Sequence, residues 1–200
     1  MQPYQAAAVL AEVDPENLNV HVPPPFPVAP DRLRERGAGH SIKGSAEIGP
    51  NPTDRGKPGT KRHLVTDARG KPLGLTLSGA NRHDSRMLAA TLDAVPRVRT
   101  GGRGRPHRRP GKRHADKAYD HRRCRSDCHA RGIIPRIARR GIESSAWLGR
   151  HRWVIERTFA WLNQFRRLVI RYERRADLHH ALTTLACAVI CLRQIRRFCP

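Results

Sequence analysis

The segment His63-Leu64-Val65-Thr66-Asp67-Ala68-Arg69-Gly70-Lys71-Pro72-Leu73-Gly74-Leu75-Thr76-Leu77 decides the fold class. Two short apolar runs of β type flank a polar connector that contains Gly70 and Pro72, the pattern of a hairpin. Seven residues further on, Asp84 is placed to cap a helix running through Met87, Leu88, Leu92 and Val95, which Pro96 stops. Next come a short segment at Ala115-Asp116, a polar helix over 119–130 ended by Gly132, and the strand-like Ile133-Ile134-Pro135-Arg136-Ile137. Two helices close the chain. The first, over 150–167, places Val154, Trp161, Phe165 and Leu168 on a stripe. The second, over 176–198, runs Leu178, Leu182, Leu185, Val189, Leu192 and Ile195 along one face, with Asp177 as its cap. This order predicts an α/β or α+β domain with helices packed on a small mixed sheet.

Working upstream, residues 1–45 read differently. Ten of the sixteen prolines fall before residue 60, including Pro23-Pro24-Pro25, Pro27 and Pro30. Proline fixes φ and donates no amide, so this stretch is expected to be an extended, disordered tail and not a central strand. The folded domain is expected over 46–198.

The whole chain is strongly basic. Thirty-nine Lys and Arg against seventeen Asp and Glu leave a formal charge of +22 over 200 residues. That much self-repulsion calls for a polyanionic partner. Hydrophobic residues make up 38%, below the ~45–50% of ordinary globular domains, so the core is expected to be small. The longest uninterrupted apolar run, Leu185–Leu192, is far short of the ~20 residues a bilayer span needs. No basic segment followed by an apolar stretch opens the chain, so neither secretion nor a membrane partner is expected. Five cysteines without framework spacing fit reduced thiols in a cytosol.

Against this background an acid in a basic or apolar setting is informative. Asp116 lies in KRHADKAYD (112–120), at the end of a predicted strand, and Glu156 lies in HRWVIERTFAWL (151–162). A carboxylate between Val154-Ile155 and Phe159 is costly to bury unless a cation or metal pairs with it. Arg152, one turn earlier, can supply that pair. From spacing alone the plainer reading is an exposed Arg152–Glu156 helix bridge worth ~0.3–0.5 kcal/mol.

Read together, four segments tip the balance: GPNPTDRGKPGTKRHLVTDARGKPLGLTLSGANRHDS (49–85), HADKAYDH (114–121), GIIPRIARRGIE (132–143) and the stretch from Leu148 to Ile195. In this order they resemble DDE transposases of bacterial insertion sequences, the group typified by the fourth and fifth numbered elements. The resemblance spans about residues 43–195. It implies an α/β, RNase H-like mixed sheet flanked by helices. It also implies metal-dependent cleavage at the ends of an element, followed by transfer of 3′-hydroxyls into target DNA. In that family three carboxylates hold two Mg²⁺ ions, with Mn²⁺ as a substitute, which neutralise charge on both flanks of an in-line displacement.

The family's second aspartate maps onto Asp116 in Ala115-Asp116-Lys117-Ala118-Tyr119. Its glutamate maps onto Glu156, with Arg152 completing an R-x3-E core and orienting Glu156 or contacting phosphate. The outer positions of that signature depart from the pattern, being Gly149 and Asn163, and Arg113-His114 replaces an apolar pair. The first aspartate departs further. Its expected offset lands near Glu35, with Asp31 the nearest aspartate, and no apolar strand surrounds either. The first strand is therefore expected to be incomplete and the chain a truncated or frameshifted copy, cytoplasmic and nucleoid-associated. A catalytically inactive remnant that only binds DNA is the alternative to an active, homo-oligomeric enzyme.

For double-stranded DNA contact, Lys57, Lys61 and Arg62 lie near the hairpin, and Arg166, Arg167 and Arg174 lie where a helix can preorganise them. Each neutralised phosphate adds a salt-dependent term without reading sequence. The Gly/Pro-rich run 97–113 is a further basic loop. Trp153, Phe159, Trp161 and Phe165 are expected in the core; stacking on unpaired bases is the other option. Cys124 and Cys128, beside His121 and His129, lack the second pair that structural zinc sites use.

Overall fold

The computed structural model describes residues 17–21, 26–27, 47–52, 55–97, 110–142 and 145–196. Among them the strands are β1 (Asn17–His21), β2 (Phe26–Pro27), β3 (Gly49–Pro50), β4 (Pro58–Thr66), β5 (Pro72–Gly79), β6 (Lys112–Ala115) and β7 (Ile134–Ile137). The helices are α1 (Leu88–Asp93), α2 (Arg122–His129), α3 (Ser145–Asn163), α4 (Arg166–Val169) and α5 (Ala176–Arg196). Short 3₁₀ turns cover Asp84–Arg86 and Lys117–Tyr119.

All the strands share one sheet, which crosses from β5 through β4, β1 and β6 to β7. Its first half is antiparallel and its second half parallel: β1 runs against β4 but alongside β6, and β6 alongside β7. The short β2 continues β1 along one edge of β4, and β3 continues β5 along the other.

The central strand β1 corrects the reading of the first 45 residues. The prolines bracket it, at Pro15 and Pro23, and leave the proline-free stretch Glu16–Val22 between them. Proline terminates strands but does not remove the segment between two of them. The expected first-ligand candidates Asp31 and Glu35, and most of the basic run 97–113, lie outside the described residues.

Helices cover both faces of the sheet. On one face, Val65 and Ala115 pack with Leu88, Leu92 and Val95 around α1 and with Tyr119, Cys124 and Cys128 around α2. On the other, Leu64 packs with Ile155, Phe159 and Leu162 of α3, Leu168 of α4, and Ala186 and Ile190 of α5. Because β4 is sandwiched, Arg62 to Thr66 are all buried and the strand loses the usual in–out alternation. A register shift at Val65/Thr66, opposite Leu73, bulges the hairpin. It turns Leu73 to the α1 face while Leu75 keeps to the α3 face.

The hairpin turn is held by the Asp67 carboxylate, which accepts from the amides of Arg69 (2.9 Å) and Lys71 (2.7 Å). Gly70 sits there at φ +82°, a left-handed conformation. A Cβ at Gly70 would lie 2.9 Å from Thr158 Oγ1 and 3.3 Å from the Val154 carbonyl oxygen. Thr158 Oγ1 donates to the Gly70 carbonyl at 2.8 Å, so hairpin and helix interlock.

The expected hairpin, the helix after it, β6, β7 and the two closing helices are all present. Three details differ. His83, not Asp84, caps the 3₁₀ turn, because its ring accepts from the Ser85 amide. In α3 the buried stripe is Val154, Ile155, Thr158, Phe159 and Leu162; Phe159 joins the core, whereas Trp153 is 49% exposed. In α5, Leu178, Leu185 and Leu192 face outward, and His179, Thr183, Ala186 and Ile190 face the protein. The polar pair is tied locally: His179 Nδ1 lies 3.2 Å from Glu173 Oε2, and Thr183 Oγ1 donates to the His179 carbonyl. By length and composition α5 could also cross a bilayer, with a mean hydropathy of 1.3; here it packs on β5 and α3.

Candidate active site and nucleic-acid interface

Asp116 follows β6 directly, in extended conformation, and its carboxylate accepts from the Ala118 amide at 3.0 Å. β6 tolerates Arg113 in place of an apolar residue because its buried guanidinium lies over the Tyr119 ring at 5.1 Å and donates to Cys128 Sγ at 3.3 Å.

A second acid belongs to the same neighbourhood. The 3₁₀ turns that carry Asp84 and Tyr119 pack together, and Asp84 pairs with Lys61 at 2.9 Å. Burial raises the Tyr119 hydroxyl pKa far above its ordinary value; Arg113 opposes the shift, and the charges of Asp84 and Asp116 add to it. His83 and His121 meet edge to face beside them, ring centroids 5.3 Å apart. In sequence Asp84 reads as a cap; only the packing of two distant turns brings its charge to bear, with that of Asp116, on Tyr119.

Glu156 is exposed on α3, one turn before the buried Phe159. Val154 and Thr158, the residues two before and two after it, both bear on Gly70. Arg152 precedes it by one helical turn in α3. Asp116 is in line with His21 and Leu64, one position past the Val20–Ala115 and Val20–Val65 pairings; the Glu156 turn is against the hairpin.

By type, Asp116 and Glu156 are the hard oxygen donors that Mg²⁺ prefers. A third carboxylate does not come from β1, which reads Asn17-Leu18-Asn19-Val20-His21. Among the described residues no group of three or more His, Cys, Asp or Glu is disposed to hold a metal ion.

The basic candidates separate by burial. Lys57, Arg166 and Arg174 are exposed. Arg167 is exposed as well, with its Nε donating to Glu173 at 2.8 Å and its guanidinium over Tyr172. Lys61 is half-buried and committed to Asp84 and the Arg82 carbonyl. Arg62 leaves the list of surface contacts. It is 2% exposed, donates to Asn163 Oδ1 and the Leu168 carbonyl, and burial pushes its pKa down to about 10. It sits one residue before His63 in a strand covered on both sides, so it cannot reach a phosphate.

Arg171, which the sequence reading passed over, is also fully buried. It donates to Thr60 Oγ1 (2.8 Å) and to the carbonyls of Glu173 (2.9 Å) and Arg174 (3.3 Å), which ties the segment before α5 to β4. No local pattern marks it among thirty-nine basic residues.

Comparison with known proteins fits this architecture. Residues 27–191 match the family model described as the transposase DDE domain. A Burkholderia cepacia protein described as a transposase for insertion sequence element IS402 is 51% identical over 154 residues, covering 77% of this chain and 72% of that protein. The matched span takes in the hairpin, Asp116, the whole of α3 and most of α5, and on that ground the chain belongs to the DDE-type transposases of bacterial insertion sequences.

Proposed function

We propose that this chain acts in DNA transposition by binding duplex DNA at the ends of an insertion sequence and cleaving phosphodiesters there, with transfer of the freed 3′-hydroxyl into target DNA. The sheet order, an antiparallel hairpin joined through β1 to a parallel pair, supports the RNase H-like reading of the domain. The observation that carries the catalytic role is the placement of Asp116 directly after a strand of the sheet's parallel half, with its carboxylate held by the Ala118 amide.

Asp116 and Glu156 would hold Mg²⁺, or Mn²⁺ in its place. The metal, when bound, neutralises charge on the reacting phosphate and lowers the pKa of a bound water or hydroxyl. The chain's own part is positional. The Ala118 amide fixes the Asp116 carboxylate, and the lock between Thr158 and Gly70 fixes the turn that bears Glu156. Arg152 serves beside Glu156 as an orienting or phosphate-binding cation. Arg166, Arg167, Arg174 and Lys57 hold the DNA backbone. The family's action on DNA ends supports a homo-oligomer as the working form.

A second reading is binding without cutting, and one observation favours it: β1, the strand beside Asp116, contributes asparagine and histidine where a third carboxylate would be needed. Nicking of terminal-repeat DNA by the purified protein in Mg²⁺ or Mn²⁺ separates the two. Cleavage that is lost in Asp116→Asn and Glu156→Gln, with DNA binding retained, supports the enzyme. Tight, salt-sensitive binding with no nick in either metal supports the remnant.

A further inference from the structure

Arg167 stands apart from the other cations proposed to hold DNA, because two neighbours set its geometry. Its Nε donates to Glu173 Oε1 at 2.8 Å, and its guanidinium lies over the Tyr172 ring, 5.6 Å from the centroid. The Arg167 side chain is nonetheless 67% exposed, whereas that of Glu173 is 6% exposed. Glu173 is fixed in turn. Nδ1 of the buried His179 lies 3.2 Å from its other carboxylate oxygen, and Nε of the buried Arg171 donates to its carbonyl at 2.9 Å. Burial works to raise the Glu173 carboxyl pKa, but the hydrogen bonds from His179 and Arg167 outweigh it and hold the group below its ordinary value. An ionised, immobile carboxylate thus braces an exposed guanidinium.

Other arginine–carboxylate pairs among the described residues are built differently. Arg125 and Arg131 hold Asp120 and Asp93 with their own side chains largely covered. Arg175 meets Asp177 where both are mostly exposed, so neither is anchored by the protein interior. Only a buried acid under an exposed arginine presents that arginine outward in one fixed pose.

We propose that Arg167 is a base reader: with Nε given to Glu173, its two terminal nitrogens form a fixed fork for a guanine edge in the major groove of bound duplex DNA. The inference rests on the proposed DNA binding and narrows it, moving Arg167 from the backbone group to a base edge. Electrostatics favours a base over a phosphate here. A phosphate is held by net charge, and Glu173 offsets much of the Arg167 charge from 2.8 Å away. Guanine offers O6 and N7 side by side, and two coplanar N–H donors match both. That match depends on direction more than on charge, so a plane already immobilised by carboxylate and ring loses less entropy on binding. Arg166 and Arg174, exposed in the same part of the chain, serve the flanking phosphates.

Fluorescence-anisotropy titration of the full chain with terminal-repeat duplexes, each guanine replaced singly by 7-deazaguanine, tests this. The replacement removes the N7 acceptor and leaves charge and pairing unchanged. Wild type is expected to lose affinity ~10-fold or more at a particular guanine. Arg167→Ala should show a similar loss on unmodified DNA and no further loss at that guanine. Its slope of log K against log salt should move by less than ~0.5, where a phosphate contact would move it by ~1. Arg167→Lys should not restore discrimination, since an ammonium has no fork. Glu173→Gln should weaken binding several-fold in the wild-type background and not at all in Arg167→Ala, a coupling that a merely structural role for Glu173 does not produce. A melting temperature within about 2 °C of wild type should show that Arg167→Ala is folded.

Equal sensitivity to 7-deazaguanine in wild type and Arg167→Ala, with a slope change of ~1 in the variant, would overturn the proposal and return Arg167 to the backbone. Binding that Arg167→Ala leaves unchanged would overturn it as well, with the DNA-binding reading intact. Wild-type protein that binds no duplex would sink that reading and this inference together.

Discussion

His63 is 1% exposed, with Nε2 2.7 Å from Ser78 Oγ, and the neighbouring cations Lys61 and Arg82 face it. Burial first, and those charges second, push its imidazole down to about 3. The unfolded chain takes up a proton near pH 6.5 that the fold refuses. The stabilising contribution is therefore complete above pH 6.5 and is lost as pH falls from there toward 3. Its full extent is a few kcal/mol, at ~1.4 kcal/mol for each unit. Asp67 works the other way: burial raises its carboxyl pKa against the pull of the Lys71 and Arg69 amides, so it favours the fold as pH drops toward the unfolded carboxyl value. Urea denaturation at several pH values should show that His63→Gln flattens the loss between pH 6.5 and 3. An unchanged slope would mean that another group governs it. Asp116 and Glu156 were legible as residues because acids are scarce in this chain. The meeting of the turns that carry Asp84 and Tyr119 was not, since it arises from packing across the fold.

At the scale of elements, the contact between the β4–β5 hairpin and α3 carries the clearest energetic consequence. Gly70→Ala sets a Cβ against Thr158 Oγ1 and strains a left-handed residue. The expected cost is ~2–3 kcal/mol. Thr158→Val removes the hydrogen bond to the Gly70 carbonyl and should cost about 1–2 kcal/mol. Thermal melts should register these as Tm drops of roughly 2–4 °C per kcal/mol. If Glu156 acts from the turn this contact holds, both variants should lower any nicking rate by more than their loss of folded protein explains. Helix and hairpin existence followed from periodicity, but the orientation of α5 did not. A helix without a charged residue over fifteen positions is apolar on most of its circumference. The leucine repeat then marks an arc without saying whether that arc is inside.

At the scale of the molecule, a charge of +22 predicts a steep salt dependence for the proposed DNA binding. Replacing Arg166 or Arg174 with Ala should weaken binding equally across sequences and lower the slope of log K against log salt by ~1 each. Arg62→Ala should behave differently, because the side chain is buried in the sandwich. It is expected to destabilise the fold by about 3 kcal/mol, as truncation of a buried charged group does. The slope among molecules that remain folded should not change. Filter binding from 50 to 300 mM salt, paired with melting curves, checks both outcomes; a slope change in Arg62→Ala would return that residue to the interface.

Some of this protein was determined by its linear sequence. The hairpin between Val65 and Leu73, the order of strands and helices, the basic character and the family motifs around Asp116 and Glu156 all depend on neighbours a few residues apart. Tertiary structure decided the rest. It placed Asn17–His21 between β4 and β6, sank Arg62, Arg113 and Arg171 into the interior, and turned Leu178, Leu185 and Leu192 of α5 outward. The reason is physical. A short strand with two asparagines is stabilised by partners that approach from residues 64–66 and 112–115, and a buried arginine by carbonyls, rings and hydroxyls drawn from distant elements. Neither is encoded in the local pattern that a linear reading can see.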